Sequence, residues 1–121
     1  MTDQTTLADF DTYQDLALRT ASPESLTNPG AMLNNAALGL AGESGEIADH
    51  VKKVMFHGHP LDHATCDKIA KEIGDILWYC AMAARAIDTG LGDIATMNIE
   101  KLKKRYPEGF STEHSLNRPH G

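Results

Sequence analysis

The sequence predicts an all-α fold: a four-helix, antiparallel bundle-like protomer with two long central helices, formed as one domain over residues 1–121. Three observations lead there. Apolar residues recur at three- and four-residue intervals through four segments. The connections between those segments are short and marked by Pro and Gly, which makes successive helices antiparallel neighbours. Aromatic residues are few, with one Trp, three Tyr and three Phe, so the core must be assembled from Ala, Ile, Leu, Val and Met in closely packed helices.

Taken in order, LADFDTYQDLALRTA (7–21) carries Leu7, Phe10, Tyr13, Leu16, Ala17 and Ala21 at helical spacing. SPESLTNPG reads as a loop. A long helix follows from Ala31 to about Phe56, with Leu33, Ala37, Leu40, Ile47, Val51 and Val54 as its apolar stripe. Gly58 and Pro60 in HGHPLD stop it. The third helix runs from His63 to about Asp88, capped by Asp62, with the stripe Ile69, Ile73, Ile76, Leu77, Cys80, Ala84 and Ile87. DTGLGD makes a turn into a fourth helix, Asp93 to Arg105, in which Ile94, Met97 and Leu102 are apolar. Pro107 ends it, and the tail from about residue 107 reads as polar and irregular. The central helices, about 37 Å long, offer more apolar surface than one chain can cover. The expectation is therefore a homodimer or homotetramer.

Composition narrows the function classes. Hydrophobic residues make up 41% and charged residues 23%, as in ordinary globular proteins. No apolar run approaches the roughly 18–20 residues of a membrane span, and MTDQTTLADF lacks the features of a signal peptide. A cytoplasmic location without membrane contact is expected. Cys66 and Cys80 lie 14 residues apart on one helix, about 21 Å, too far for a disulfide; both are expected to be small buried apolar residues. A formal net charge of −6 weighs against binding a nucleic-acid duplex. It leaves room for a phosphorylated small molecule if a cation stands between.

The chemistry-bearing residues begin in GLAGESGEIADH. Gly39, Gly42 and Gly45 each weaken a helix by about 0.5–1 kcal/mol relative to alanine. Between and after them, Glu43 and Glu46 interrupt the apolar stripe, where an unpaired acid is costly. KEIGDILWY repeats the device, with Glu72 and Asp75 three residues apart and Gly74 between them. Residue 46 lies 11 before His57 and residue 72 lies 10 after Asp62, so in an antiparallel hairpin the four acids meet at one level. Gathered carboxylates repel and retain protons unless a cation neutralises them. Four oxygen donors suit Mg²⁺, with Mn²⁺ as a substitute, and the glycines would leave room for a ligand or for close helix approach. On the fourth helix Asn98, Lys101 and Arg105 share a face. Lys53 continues the acidic stripe of the second helix. Acids that hold a metal, with cations one helix away, are the parts needed to grasp a polyphosphate.

GLAGESGEIADHVKK, KEIGDILWYCAMAA and NIEKLKKRYPEGFS together resemble the MazG-like nucleotide pyrophosphohydrolases of the all-α NTP pyrophosphatase superfamily, and TYQDLALRTA resembles their first helix. Their signature is Glu-x-x-Glu, a spacer of about a dozen to nearly thirty residues, then Glu-x-x-Asp; here the spacer is 25 residues. The resemblance implies hydrolysis of a (deoxy)nucleoside triphosphate between the α and β phosphates, giving monophosphate and pyrophosphate, in nucleotide-pool house-cleaning. It implies Glu43, Glu46, Glu72 and Asp75 as Mg²⁺ ligands, with Glu43 or Glu46 as catalytic carboxylate. Lys101 and Arg105 would then contact the phosphates and Asn98 the nucleotide, with Lys53 added on stripe geometry alone. A base pocket would draw on Gln14, Asn34 and Trp78. Competing readings are a zinc site at His57, His59 and His63, a di-iron carboxylate bundle, which would want Glu-x-x-His pairs, and a non-catalytic helical oligomerisation or nucleotide-sensing module.

Overall fold

The computed structural model describes residues 9–117. In chain order it contains α1 (Phe10–Leu18), a 3₁₀ turn (Glu24–Leu26), α2 (Pro29–Phe56), α3 (His63–Ala86), α4 (Leu91–Arg105) and a short α5 (Thr112–Leu116). The described residues are all-helical, with no strand beyond an isolated bridge between Pro107 and Gly109. None of the helices is long and apolar enough to cross a membrane.

Helix starts follow local chemistry. Asp9, Asn28 and Asp62 each accept a hydrogen bond from the backbone N–H three residues on, at 2.7, 3.0 and 2.9 Å. These side chains satisfy donors that a helix start leaves without intrahelical partners. α2 starts two residues before the expected Ala31 because Pro29 occupies its first turn, where a missing N–H costs nothing. α1 is shorter than expected, running from Asp9 as cap to Leu18; Leu7 and Ala8 lie outside the described residues. The tail is less irregular than expected. Gly109, with φ of +91°, turns the chain, the Tyr106 and Phe110 rings meet at 5.4 Å, and α5 follows.

α4 is capped by another helix. Its own N-cap residue is Gly90, which has no side chain to accept a hydrogen bond. α1 supplies the acceptors: Leu91 N donates to Gln14 Oε1 at 3.0 Å and Gly92 N to Asp11 Oδ1 at 2.9 Å. The carboxylate of Asp11 at a helix N-terminus also meets the positive end of the helix dipole. Gln14 Nε2 donates in turn to Ala81 O and Thr89 O at 3.2 and 3.3 Å. One buried amide thus joins α1, the end of α3 and the start of α4.

The core lies at this same end. It consists of Leu18, Met32, Ala36, Ala81, Met82, Ala84 and Leu91. On α2 the buried face is Met32 and Ala36, one position off the expected Leu33–Ala37–Leu40 stripe, and Leu33 and Leu38 are 42% and 67% exposed. The cause is close approach. Ala36 and Gly39 are the small residues of α2 that let α3 pack tightly, and the Tyr79 ring lies where any Cβ on Gly39 would be. Away from the core, α2 and α3 continue as a two-helix hairpin. Val51, Met55, Phe56, Leu61 and Ile73 are exposed there. Cys66, expected to be buried, is exposed for the same reason, while Cys80, nearer the core, is half-buried; both thiols are free.

Replacing Gln14 by Leu keeps its bulk but leaves Leu91 N and Thr89 O without their partner. The expected loss is about 2–4 kcal/mol of unfolding free energy, read by urea denaturation at one protein concentration. A loss under about 0.5 kcal/mol, the usual range of a surface substitution, would show that this amide does not hold the corner.

Candidate functional site

The hairpin brings the acids of α2 and α3 together. Ligand oxygens of Glu43, Glu72 and Asp75 lie within 4.8 Å of one another. Among the described residues this is the one group of His, Cys, Asp and Glu side chains close enough to share a cation. His57, His59 and His63 form no such group. Glu43 and Glu72 are half-buried and Asp75 is exposed. Glu46 stands apart from the trio and is exposed. The helical wheel explains this: three residues along a helix of 3.6 per turn leave a side chain about 60° round the axis, so Glu43 faces α3 while Glu46 faces outward. Its charge still reaches Glu43.

Crowding changes the chemistry of Glu43. Its pKa is raised to about 7, first by hydrogen bonding with the Glu72 carboxyl, then by loss of water, then by the charges of Glu72, Asp75 and Glu46. A carboxyl among carboxylates keeps its proton to relieve repulsion. Its Oε2 is buried and has no hydrogen-bond partner. A buried polar atom without a partner is uncommon and calls for a ligand or ion. Three oxygen donors, one of them aimed at nothing in the chain, fit a hard divalent cation.

His50, which continues the acidic stripe of α2 seven residues after Glu43, brings its Nε2 to 3.9 Å from Glu72 Oε1. The Tyr13 hydroxyl titrates above the usual phenol range, mainly through burial, with Cys80 and Asp75 adding. Lys53 Nζ sits 2.9 Å from Asp49 Oδ2, and Lys52 reaches the same carboxylate at 3.5 Å. Lys53 is thus paired along its own helix.

α4 forms one wall of an open groove of about 820 Å³, with Leu77 and Cys80 of α3 opposite and Phe10 at one side. Ile94 and Met97 supply apolar wall, and Asn98 and Lys101 stand on the same wall. The groove begins two residues past Asp75. Arg105, half-buried and one turn further, has an Nε that is buried without a partner. Gln14, Asn34 and Trp78 do not line this groove. Gln14 is held by the three hydrogen bonds at the α1–α3–α4 corner. Trp78 Nε1 donates to Ala17 O at 3.0 Å and to Thr20 Oγ1 at 2.8 Å, with its ring against the core. Asn34 is exposed on α2.

Comparison with known proteins places this arrangement. A sequence profile described as the MazG nucleotide pyrophosphohydrolase domain matches residues 33–110, which includes all four acids and the whole of α4. The Gene 37 protein of Mycobacterium phage L5 is 35% identical over 78 residues, covering 64% of this chain and 68% of that protein. No solved structure matches the chain. On the profile match across most of its length, the chain belongs to the MazG nucleotide pyrophosphohydrolase domain family.

Proposed function

We propose that this protein is a Mg²⁺-dependent nucleoside triphosphate pyrophosphohydrolase that cleaves between the α and β phosphates, a house-cleaning activity on the cytoplasmic nucleotide pool. Family membership supports a pyrophosphohydrolase activity in general. The observation that carries the finer reading is the trio of Glu43, Glu72 and Asp75 with its buried, unpartnered oxygen. These three residues would hold the cation, with Glu46 outside the trio and open to solvent. Mg²⁺ or Mn²⁺ bound there neutralises the gathered charge and polarises phosphate oxygens.

The chain's own groups supply the rest. Lys101 and Arg105 bind the phosphates, and Arg105 brings a guanidinium whose Nε lacks a partner within the fold. Asn98, on the groove wall with Lys101, contacts the nucleoside. Gln14 and Trp78 have their polar atoms engaged in the fold, so the base meets the groove rather than those two side chains. Glu46 is exposed beside the trio and accepts the proton of the attacking water. The water oxygen forms a bond to the α-phosphorus as the bond to the α,β-bridging oxygen breaks, and pyrophosphate leaves with that electron pair against Lys101 and Arg105. Lys53, tied to Asp49, takes part only if that pair opens.

The protein acts as a homo-oligomer. Its accessible surface is 8900 Å², whereas a compact monomer of its mass exposes about 6,400 Å². Discounting the residues outside 9–117 at a fully extended chain's area leaves an excess of about 1,000 Å². That exceeds the roughly 800 Å² each partner gives to a standard interface.

Three measurements follow. Asp75→Asn and Glu46→Gln should each lower pyrophosphate release by about 100-fold or more while circular dichroism keeps the wild-type helical signal; near-wild-type turnover in either removes the assignment. Sedimentation should show a dimer or larger, and a monomer at micromolar concentration would contradict the surface argument. The third concerns pH. Glu43 has a folded pKa raised from 4.5 to about 7, so the native state binds more protons than the unfolded chain between those values. Its contribution favours folding below about 4.5 and is lost as pH rises through about 7. Metal-free protein should therefore melt lower at pH 8 than at pH 5 by an amount that Glu43→Gln reduces. A cation must displace that proton, so calorimetry should show more proton released per Mg²⁺ at pH 6 than at pH 8. Equal release at both would show that Glu43 is not a ligand.

A further inference from the structure

The carboxylate trio has one basic neighbour from the facing helix, and it is a histidine. His50 lies on α2, its Nε2 3.9 Å from Glu72 Oε1 on α3, and both side chains are about four-fifths buried, at 20% and 22% exposure. The lysines that flank the trio in sequence are engaged elsewhere: Lys52 and Lys53 sit against Asp49, and Lys71 sits 3.1 Å from Asp67. Glu72 therefore stands between two groups of α2. On one side is Glu43, whose carboxylate oxygen lies within 4.8 Å of its own. On the other is His50.

We infer that His50 is a positioning residue for the cation site: its ring N–H donates to Glu72 and holds that carboxylate turned toward Glu43 and Asp75. This rests on the cation-site reading above. A glutamate reaches its ligand oxygens through three rotatable bonds, so an unheld Glu72 would have to lose that freedom on each binding event. A donor that fixes the carboxylate beforehand reduces the loss, as partners of metal-ligating side chains do. The present separation of 3.9 Å is about 1 Å longer than a hydrogen bond, a gap that a small rotation of either side chain closes. The donor is needed, not the charge, since a neutral imidazole can carry its proton on Nε2.

The test uses Mn²⁺ alone as probe, with binding followed by electron paramagnetic resonance of free Mn²⁺ on wild-type, His50→Ala and His50→Gln protein. The amide nitrogen of Gln can stand near the place of Nε2 and donate. Mn²⁺ affinity should fall about 10-fold or more in His50→Ala and return to within about threefold of wild type in His50→Gln. The metal-free melting temperature should be the same for all three. Wild-type affinity in His50→Ala overturns the inference, and so does an equal loss in both variants, which would make bulk rather than the donor the cause. If the wild-type protein itself binds no Mn²⁺, the cation-site reading fails and this inference falls with it.

Discussion

Repulsion among three carboxylates within 4.8 Å is the constraint on which the rest of the molecule depends. Side chains left free would turn such charges outward into water. Here α2 and α3 are held so that Glu43 and Glu72 stay half-buried, and the crowding raises the pKa of Glu43. The holding force comes from the far end of the hairpin. There Gln14 and Asp11 of α1 satisfy the open backbone donors of α4, Gly39 admits the Tyr79 ring, and Met82 fills the centre of a small core. The acids lie beyond that core, on the stretch where two helices run together with little else around them. A stable end and a strained, polar middle share the same pair of rods.

That division explains why one part of the molecule is so bare. A two-helix hairpin cannot surround its own apolar side chains, so Val51, Met55 and Phe56 remain in water. The same openness keeps Asp75 and Glu46 accessible. The groove between α3 and α4 joins apolar wall to Asn98 and Lys101, a combination suited to a ligand with a flat apolar part and an anionic part.

Much of this was legible in the chain. Glu46 and Glu72 lie 11 and 10 residues from the HGHPLD turn, which brought Glu43 level with Glu72 and Asp75, and Asp62 and Pro107 marked helix ends that the structure shows. Other features could not be read because they depend on partners. Periodicity names a stripe, but the face of α2 that is buried was chosen by the small residues Ala36 and Gly39, one position away from the larger Leu33 and Leu40. Gln14 sits on the row Phe10–Gln14–Leu18, an apolar row with one polar member; that signal of a buried hydrogen-bonded amide is easily taken for a ligand contact. Glu46 was separated from the trio by a rotation of about 60° that motif spacing conceals. Lys53 was read by stripe position, yet Asp49 four residues before it offers an ion pair along the same helix.

In the proposed function a divalent cation neutralises the three carboxylates that α2 and α3 bring together. The most direct measurement is a crystal structure of the protein grown with Mn²⁺, with anomalous scattering data collected to locate the metal. The account predicts an anomalous peak bounded by carboxylate oxygens of Glu43, Glu72 and Asp75, with Glu43 Oε2 among them. A peak only at His57, His59 and His63, or none within reach of the three acids at millimolar Mn²⁺, would contradict it.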